Sequence, residues 1–278
     1  MRDAIITLTS DFGAGNAYVA SMKGVILSIN PRATIVDICH SIQPQNIPQA
    51  AFILSSTHHY FPQGTIHLVI VDPGVGTKRR AILLITPSAF FLAPDNGVLS
   101  YIVGPSQEKQ AYPSQASLYQ PQQRELASGF QAISLTNSSF WHHPVSPTFH
   151  GRDIFAPVAA HLSMDIPPQQ LGESISSILV FPLPQPHMET DGTIAGHVLH
   201  IDHFGNLITN IKSEDIPNEK VSINIAGHLI QGVAPTYADG DELLALIGSS
   251  GNLEIAIRGE NAAASLGAKI GAVIKVWM

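Results

Sequence analysis

Four short polar segments hold the residue types best suited to chemistry. They are residues 10–13 (SDFG), 72–80 (DPGVGTKRR), 148–153 (TFHGRD) and 202–207 (DHFGNL). The first two follow apolar runs that are typical of strands, and open α/β sheets bind ligands where strands end. There Asp11 can accept both hydroxyls of a ribose, and the turn that follows Asp72 can bring its carboxylate close to the two arginines at 79 and 80. The alternatives are a plain turn or helix N-cap at Asp11 and a weak exposed ion pair at Asp72.

The other two segments offer a titratable group and a ligand-sized set of polar and aromatic side chains. His150 belongs to the residue type that most easily gains or loses its charge near neutral pH, and the adjacent Gly151 lets a ligand approach the backbone closely. Asp202, Phe204 and Asn206 can bind an amine, an aromatic ring and an amide edge. A helix start at residue 150 and a tight turn at residue 202 are the structural alternatives.

Several common catalytic patterns are missing from the sequence. It has no phosphate loop, no dinucleotide fingerprint and no Gly-x-Ser-x-Gly nucleophile elbow. The 13 histidines include the pairs His58–His59 and His142–His143, but neighbouring residues of a helix do not face each other. Neither His-Glu-x-x-His nor Cys-x-x-Cys occurs, so we expect no metal site.

Composition narrows the class of protein. The formal net charge of −7 argues against a broad nucleic-acid-binding face, which needs clustered Lys and Arg. Cys39 is the single cysteine, so no internal disulfide can form, which fits a reducing compartment. The sequence shows no run of roughly 20 apolar residues and no secretory signal pattern at its start. We therefore expect a cytoplasmic protein that does not associate with membranes.

The first part of the chain alternates strand and helix patterns, which predicts an α/β domain with a mostly parallel sheet. Strands are predicted at 4–9, 34–38, 65–71 and 81–85, and helices at 17–30, 47–60 and 154–162. The nearly continuous apolar strands are typical of a sheet covered on both faces. Residues 104–147 are rich in Gln, Ser and Pro, and there we expect loops and one or two helices.

The C-terminal part has a different pattern. After the Pro-rich residues 181–186, short strands are predicted at 197–201, 207–211, 221–225, 243–247, 253–257 and 272–277. Such a pattern predicts a small all-β domain, either a barrel or a sandwich. We therefore divide the chain into an α/β domain at 1–186 and a β domain at 191–278.

The order and wording of the polar segments together resemble one family. The motifs are TSDFG at 9–13, MKG at 22–24, VDI at 36–38, VDPGVGT at 71–77 with Arg79, APDNG at 93–97, TFHGRDIFAP at 148–157 and IDHFGNLITNI at 201–211. They are similar to the S-adenosylmethionine hydroxide adenosyltransferases, also called S-adenosylmethionine hydrolases (adenosine-forming), a sister group of the fluorinases and chlorinases. The similarity runs through nearly the whole chain and is poorest at 105–147.

This resemblance implies an activity, an assembly and roles for individual residues. The family hydrolyses S-adenosyl-L-methionine to adenosine and L-methionine without a cofactor. It forms homotrimers, in which the ligand lies between the N-terminal domain of one subunit and the C-terminal domain of its neighbour. The implied roles are water positioning by Asp72, Arg79 and His150, ribose binding by Asp11, contact with the methionine ammonium by Asp202, and contact with adenine by Phe204 and Asn206. Gly151 falls near the halide pocket of the sister enzymes, and Phe149 is a further candidate for contact with the ribose or the sulfonium.

Three alternatives remain open from the sequence. The first is a halide-using adenosyl transferase. Relatives of that kind have a Tyr where Asp72 stands, and a carboxylate there would repel an anion. The second alternative is a sensor that binds S-adenosylmethionine or adenosine without turnover, and the third is a metal-dependent hydrolase of another nucleoside. Two departures from the family are Gln45, where fluorinases have a stacking Trp, and the looser match at 258–261.

Overall fold

The computed structural model describes residues 4–13, 15–104, 120–217 and 220–278. The described residues form two compact units, one of residues 4–13, 15–104 and 120–182 and the other of residues 183–217 and 220–278. The domain limits 1–186 and 191–278 stay a prediction. None of the described helices combines the length and the apolar character that crossing a bilayer requires.

The first unit is an α/β structure built on a seven-stranded sheet. Its strands are β1 (Ile5–Ser10), β2 (Thr34–Cys39), β3 (Thr65–Ile70), β4 (Ala81–Ile85), β5 (Ala89–Pro94), β6 (Gln122–Glu125), β7 (Gln131–Ser134), β8 (Glu173–Ile175) and β9 (Ser177–Val180). Its α-helices are α1 (Ala17–Ile29), α2 (Ile47–Thr57), α3 (Ser100–Val103) and α4 (Ala156–Leu162). The strand order in the main sheet is β2-β1-β3-β5-β4-β7-β8, and β6 pairs with β9 apart from it.

The α/β prediction is confirmed, and the sheet is mixed. Strands β2, β1, β3 and β5 are parallel, whereas β4, β7 and β8 extend the sheet with antiparallel pairs. The change of direction comes from β4 and β5, because a connection as short as residues 86–88 permits only a hairpin. β3 is buried along its whole length, as its nearly continuous apolar run predicts.

Helices α1 and α4 pack together over one face of the parallel strands. Met22 and Ile26 of α1 join Ile6, Leu8 and Leu68 of the sheet in one buried cluster. Residues that alternate with these along the strands point to the opposite face. α2 begins after Asn46, whose side chain accepts the backbone N–H of Gln49, and it buries Ala50, Ala51, Phe52 and Leu54.

The second unit is an antiparallel sheet that nearly closes into a barrel. Its strands are β10 (His187–Met188), β11 (Ile194–Ile201), β12 (Leu207–Lys212), β13 (Ser222–Ile225), β14 (His228–Gln231), β15 (Leu243–Ile247), β16 (Asn252–Ile257) and β17 (Val273–Trp277), with the helix α5 (Ala262–Leu266). The main path is β14-β13-β17-β11-β12-β16-β15, β10 pairs with β11, and the end strands β14 and β15 contact each other. The all-β prediction is therefore confirmed in its barrel form.

Some elements differ from the sequence prediction. β5 and the short strands β6–β9, β10 and β14 were not predicted, because runs this short carry little periodicity. Between residues 120 and 147 the structure has two strands and a single 3₁₀ turn, Ser138–Phe140, where one or two helices were expected; residues 105–119 of that segment lie outside the described residues. The helix predicted from residue 154 begins as a π-helical turn, Gly151–Phe155, before it continues as α4.

Candidate active site

The candidate site of the first unit lies where the parallel strands end. β1 and β3 are neighbours in parallel register, with Ser10 opposite Ile70, so Asp11 and Asp72 leave the same edge of the sheet. This is the edge at which α/β sheets bind ligands. Asn96, which follows β5, donates its side-chain N–H to the carbonyl oxygen of Val71 at 2.9 Å. That bond ties the start of the residue 72–79 loop to the neighbouring strand.

Asp72, Arg79 and His150 form one hydrogen-bonded group. Arg79 Nε donates to Asp72 Oδ1 at 2.9 Å and to Oδ2 at 3.0 Å, and Arg79 Nη2 makes a further short contact with Oδ2. The same Nη2 lies 2.9 Å from His150 Nδ1. The Asp72 and Arg79 side chains are only 6% and 10% exposed, so the pair is largely shielded from solvent. The structure therefore brings together the three residues that the sequence analysis selected.

A glycine permits the loop that carries Arg79 to reach the segment that carries His150. Gly76 has φ +77°, and a Cβ atom built there would lie 2.5 Å from the carbonyl oxygen of Pro147. Any side chain would both strain the left-handed backbone and push the two loops apart. Gly76 is thus required for the short distance between Arg79 and His150.

The state of His150 follows from its neighbours. Burial lowers the pKa of His150, the charge of Arg79 lowers it further, and the carboxylates of Asp72 and Asp153 oppose the shift without reversing it. The ring is therefore neutral at pH 7. Because an arginine has only donors, Nδ1 must be the acceptor of the Arg79 bond, and the ring proton sits on Nε2. His150 thus presents an N–H donor on its free side.

Phe149 and Gly151 lie in the same turn as His150 and are both buried. The Phe149 ring packs edge-on against Phe12 at 5.7 Å and Tyr18 at 5.1 Å between centroids, and the Arg152 guanidinium lies 5.0 Å from its centroid. A Cβ on Gly151 would lie 3.2 Å from Met22 Sδ. The aromatic contacts join the segment around His150 to the Asp11 loop, and little of Phe149 is left for direct contact with a ligand.

Asp11 is held by a residue that the sequence analysis did not assign to the site. The backbone N–H of Gln45 donates to Asp11 Oδ2 at 2.8 Å, and Gln45 has φ +65°. A left-handed non-glycine residue is uncommon and here aims an N–H at the carboxylate. The sequence offered one signal, the departure from the fluorinase Trp at position 45. It carried no indication of a backbone bond.

Asp202, Phe204 and Asn206 form a second group in the turn between β11 and β12 of the second unit. Asp202 Oδ1 accepts the backbone N–H groups of Phe204 and Asn206, both at 2.9 Å, and Asp202 Oδ2 accepts the Asn206 side-chain N–H at 3.0 Å. Asp202 therefore shapes its own turn, which is the structural alternative for this motif. Asn206 is buried, and Phe204 is 74% exposed, so its ring is accessible.

The turn is anchored to α5. Gly205 has φ +90°, and a Cβ there would lie 2.1 Å from Asn261 Cγ. The carbonyl of Gly205 accepts the N–H of Ala263 at 2.9 Å, while the Asn261 side chain caps α5. The loose sequence match at 258–261 therefore includes a residue with a clear structural role.

Glu254 and Tyr237 are further polar residues near Asp202 that the sequence analysis missed. The Tyr237 hydroxyl donates to Glu254 Oε1. Burial, the bond to Glu254, its charge and the charge of Asp202 raise the pKa of Tyr237 to about 12. Burial also raises the pKa of Glu254, the Tyr237 bond opposes the shift, and the charge of Asp202 adds to it. Glutamate in an apolar strand was the one available signal.

No metal centre is evident in the part of the chain that the structure describes. No three His, Cys, Asp or Glu side chains there come close enough together to hold an ion. The rings of His58 and His59 are perpendicular, with 5.8 Å between their centroids, and His143 Nε2 lies 2.9 Å from the Ser138 carbonyl oxygen. That no metal takes part in the reaction stays a prediction.

Comparison with models of known protein families shows which family the chain resembles. Residues 6–172 match the model of the SAM hydroxide adenosyltransferase N-terminal domain, and residues 196–275 match the model of the C-terminal domain. This chain belongs to the SAM hydroxide adenosyltransferase family. The two matches together cover most of the chain, so the resemblance seen in the motifs is confirmed.

Individual relatives agree with the family. The chain is 33% identical to the (R)-S-adenosyl-L-methionine hydrolase of Salinispora tropica, over 98% of this chain and 97% of the relative. It is 28% identical to the fluorinase of Nocardia brasiliensis, over 99% of this chain and 97% of that enzyme. An uncharacterized conserved protein from Thermotoga maritima has a similar crystal structure, with a TM-score of 0.83, 34% identity, and coverage of 98% of this chain and 100% of that one.

Proposed function

We propose that this protein hydrolyses S-adenosyl-L-methionine to adenosine and L-methionine, and that Asp72, Arg79 and His150 place the attacking water. The hydrogen-bonded group of these three side chains carries the proposal. Support comes from family membership and from the relatives named as hydrolases. The carboxylate of Asp72 favours water over a halide at this place, because an anion would meet like charge.

The reaction needs a positioned water more than it needs an acid. The water oxygen forms a bond to the 5′ carbon of the ribose while the bond from that carbon to the sulfonium sulfur breaks. The sulfur keeps the electron pair and leaves as a neutral thioether, so the leaving group needs no proton. In-line placement at near-attack distance is therefore the main task of the site.

The hydrogen-bond directions favour Asp72 over His150 as the acceptor of the proton that the attacking water releases. His150 Nδ1 is taken by Arg79, and its Nε2 carries a hydrogen, so the ring can donate to the water oxygen and not take its proton. Asp72 Oδ2 accepts two Arg79 bonds, whereas Oδ1 accepts one and keeps a lone pair for water. Asp72 therefore receives the proton released by the attacking water and passes it to solvent.

Substrate positioning is the proposed role of the remaining residues. Asp11, held at Oδ2 by Gln45, binds the ribose hydroxyls. Asp202 meets the methionine ammonium, and Phe204 and Asn206 contact the adenine. Phe149 and Gly151 act indirectly, because they pack the turn that carries His150 against Phe12 and Met22. This chemistry requires no cofactor.

The first test is product identification. Purified protein is incubated with S-adenosyl-L-methionine in ¹⁸O-labelled water, with and without chloride and a chelator, and the products are analysed by mass spectrometry. We expect methionine and adenosine labelled at the 5′ oxygen, unaffected by either addition. A halogenated nucleoside would move the activity to the sister enzymes, and bound but unconverted substrate would indicate a sensor.

A pair of variants tests the role of His150. His150→Gln keeps an N–H near the position of Nε2, while His150→Asn places its amide nearer Nδ1. If His150 donates to water, the Gln variant retains more turnover than the Asn variant. Equal loss in both variants would favour proton transfer to the ring and contradict our assignment.

We also propose a homotrimer in which the Asp202 group of a neighbouring subunit completes each site, as the family resemblance implies. Co-expression of Asp72→Asn with Asp202→Asn subunits tests this arrangement. Random mixing would restore about a quarter of the sites, because each site needs one intact contribution from each of two subunits. No recovery of activity, or a monomer in analytical ultracentrifugation, would overturn the assembly.

A further inference from the structure

A chain of polar side chains lies behind the Asp11 loop and has no part in the proposed reaction. Lys23 Nζ donates to Asp37 Oδ2 at 2.6 Å, and His40 Nε2 lies 3.0 Å from Asp37 Oδ1. His40 Nδ1 lies 2.8 Å from Ser10 Oγ. The His40–Asp37 contact is off the line of a straight hydrogen bond and is chiefly electrostatic. The chain connects α1, β2 and the end of β1.

The charges set the direction of each contact. Burial raises the pKa of Asp37, but the bond and charge of Lys23, together with the close contact of His40, outweigh burial and lower it, so this carboxyl is ionised. An unprotonated Nε2 would place a lone pair against the carboxylate, so His40 carries its proton there. In the neutral ring Nδ1 is then the acceptor, and the Ser10 hydroxyl donates to it. The result is a directed chain from Ser10 to Asp37.

A serine, a histidine and an aspartate in this order resemble a nucleophilic triad, but burial argues against one. Ser10 is 1% exposed, so its hydroxyl is closed to a substrate. Its Oγ also lies 3.4 Å from the backbone N of Phe12, which donates to it. The hydroxyl is thus used inside the loop, and its role is structural.

Residues 40–45 form hydrogen bonds to the Asp11 loop (residues 10–13) at three points. The His40 ring binds Ser10, the His40 carbonyl accepts the N–H of Gly13 at 2.8 Å, and the N–H of Gln45 binds Asp11 Oδ2. The first two contacts flank Asp11 on both sides along the chain, and the third holds the carboxylate itself. The connection from β2 to α2 therefore sets where this carboxylate points.

We propose that His40 is a positioning residue that fixes the Asp11 carboxylate for the ribose hydroxyls, acting through Ser10 and the residue 40–45 connection. This inference rests on the proposed ribose-binding role of Asp11. Without the His40 acceptor, the Ser10 hydroxyl and the loop it holds lose one anchor. The consequence is weaker recognition of the hydroxyls, with the adenine contacts unchanged.

The test is calorimetric titration of the full-length protein with adenosine and with 2′,3′-dideoxyadenosine. The ratio of the two dissociation constants measures hydroxyl recognition and cancels general damage to the fold. We expect a large ratio for the parent protein, a ratio near one for Asp11→Ala, and a ratio reduced about fivefold or more for His40→Phe. His40→Asn, whose amide oxygen can replace Nδ1 as acceptor, restores much of the ratio.

Each other outcome counts against the inference in a distinguishable way. A ratio near one in the parent protein would remove the ribose role of Asp11 and the inference with it. A ratio lowered by Asp11→Ala but unchanged by His40→Phe would overturn the inference alone. The control is His161→Phe. His161 is a half-buried histidine of α4 that contacts Phe140, and its substitution is expected to leave the ratio unchanged. If His40→Phe does not fold, Ser10→Ala removes the same bond from its other end.

Discussion

Replacing Asp72 by asparagine removes one charge and changes little in shape. The carboxylate accepts three N–H contacts from Arg79 and is 6% exposed. Asparagine keeps one oxygen acceptor, but its NH₂ group opposes an arginine donor. Arg79, itself 10% exposed, then lacks its counter-charge. Two quantities change as a result, the stability of the fold and the rate of hydrolysis.

The structure sets the size of both effects. Removing one partner of a buried ion pair costs about 3–5 kcal/mol in the free energy of unfolding. Loss of a proton acceptor slows the chemical step by about 10²–10⁴-fold, which equals about 3–5 kcal/mol in the barrier. Binding of S-adenosyl-L-methionine should change much less, because the ribose, ammonium and adenine contacts are proposed to lie elsewhere.

Single-turnover adenosine formation and calorimetric binding, measured on the same preparation, separate these effects. Asp95→Asn is the matched control, since Arg80 Nε donates to Asp95 Oδ2 at 2.8 Å and the Asp95 side chain is 2% exposed. This control should lose stability while its hydrolysis rate stays within about threefold of the parent. A folded Asp72→Asn protein that hydrolyses substrate as fast as the Asp95→Asn control would refute the role of Asp72 as proton acceptor.

Two further predictions concern the backbone and the core. Gly76→Ala should lower activity at least tenfold, because its Cβ would lie 2.5 Å from the Pro147 carbonyl oxygen. The control is Gly64→Ala, at a glycine with φ +84° and nothing within 4 Å of its Cβ position, which should cost only about 1–2 kcal/mol of stability. Equal activity in both variants would show that this loop contact does not hold the site. Burial and the charge of a neighbouring histidine lower the pKa of the buried His67 from 6.5 to about 4. The unfolded chain therefore takes up this proton at higher pH than the fold, and the free energy of unfolding should fall by about 2 kcal/mol between pH 7.5 and 5 through this group. Urea unfolding at both pH values should show that loss removed in His67→Phe and kept in the exposed control His228→Gln.

Local sequence patterns determined much of the fold and the choice of site residues. The nearly continuous apolar run of β3 predicted a strand buried on both faces, and the short strand runs after residue 190 predicted the β unit. Asp72, Arg79 and His150 were selected because their motifs together resemble those of one family, and the glycine at position 76 was already present in one of them. The strand patterns and the wording of each motif depend on residues a few positions apart, which a sequence displays directly.

Tertiary structure decided what those residues can do. Whether His150 donates or accepts depends on an Arg79 contact across 71 positions of the chain, and the orientation of Asp11 depends on Gln45 and His40 across about 30. Hydrogen-bond direction requires the relative positions of atoms to within tenths of an ångström. Packing of distant segments sets those positions, and the spacing of residues along the chain does not encode them.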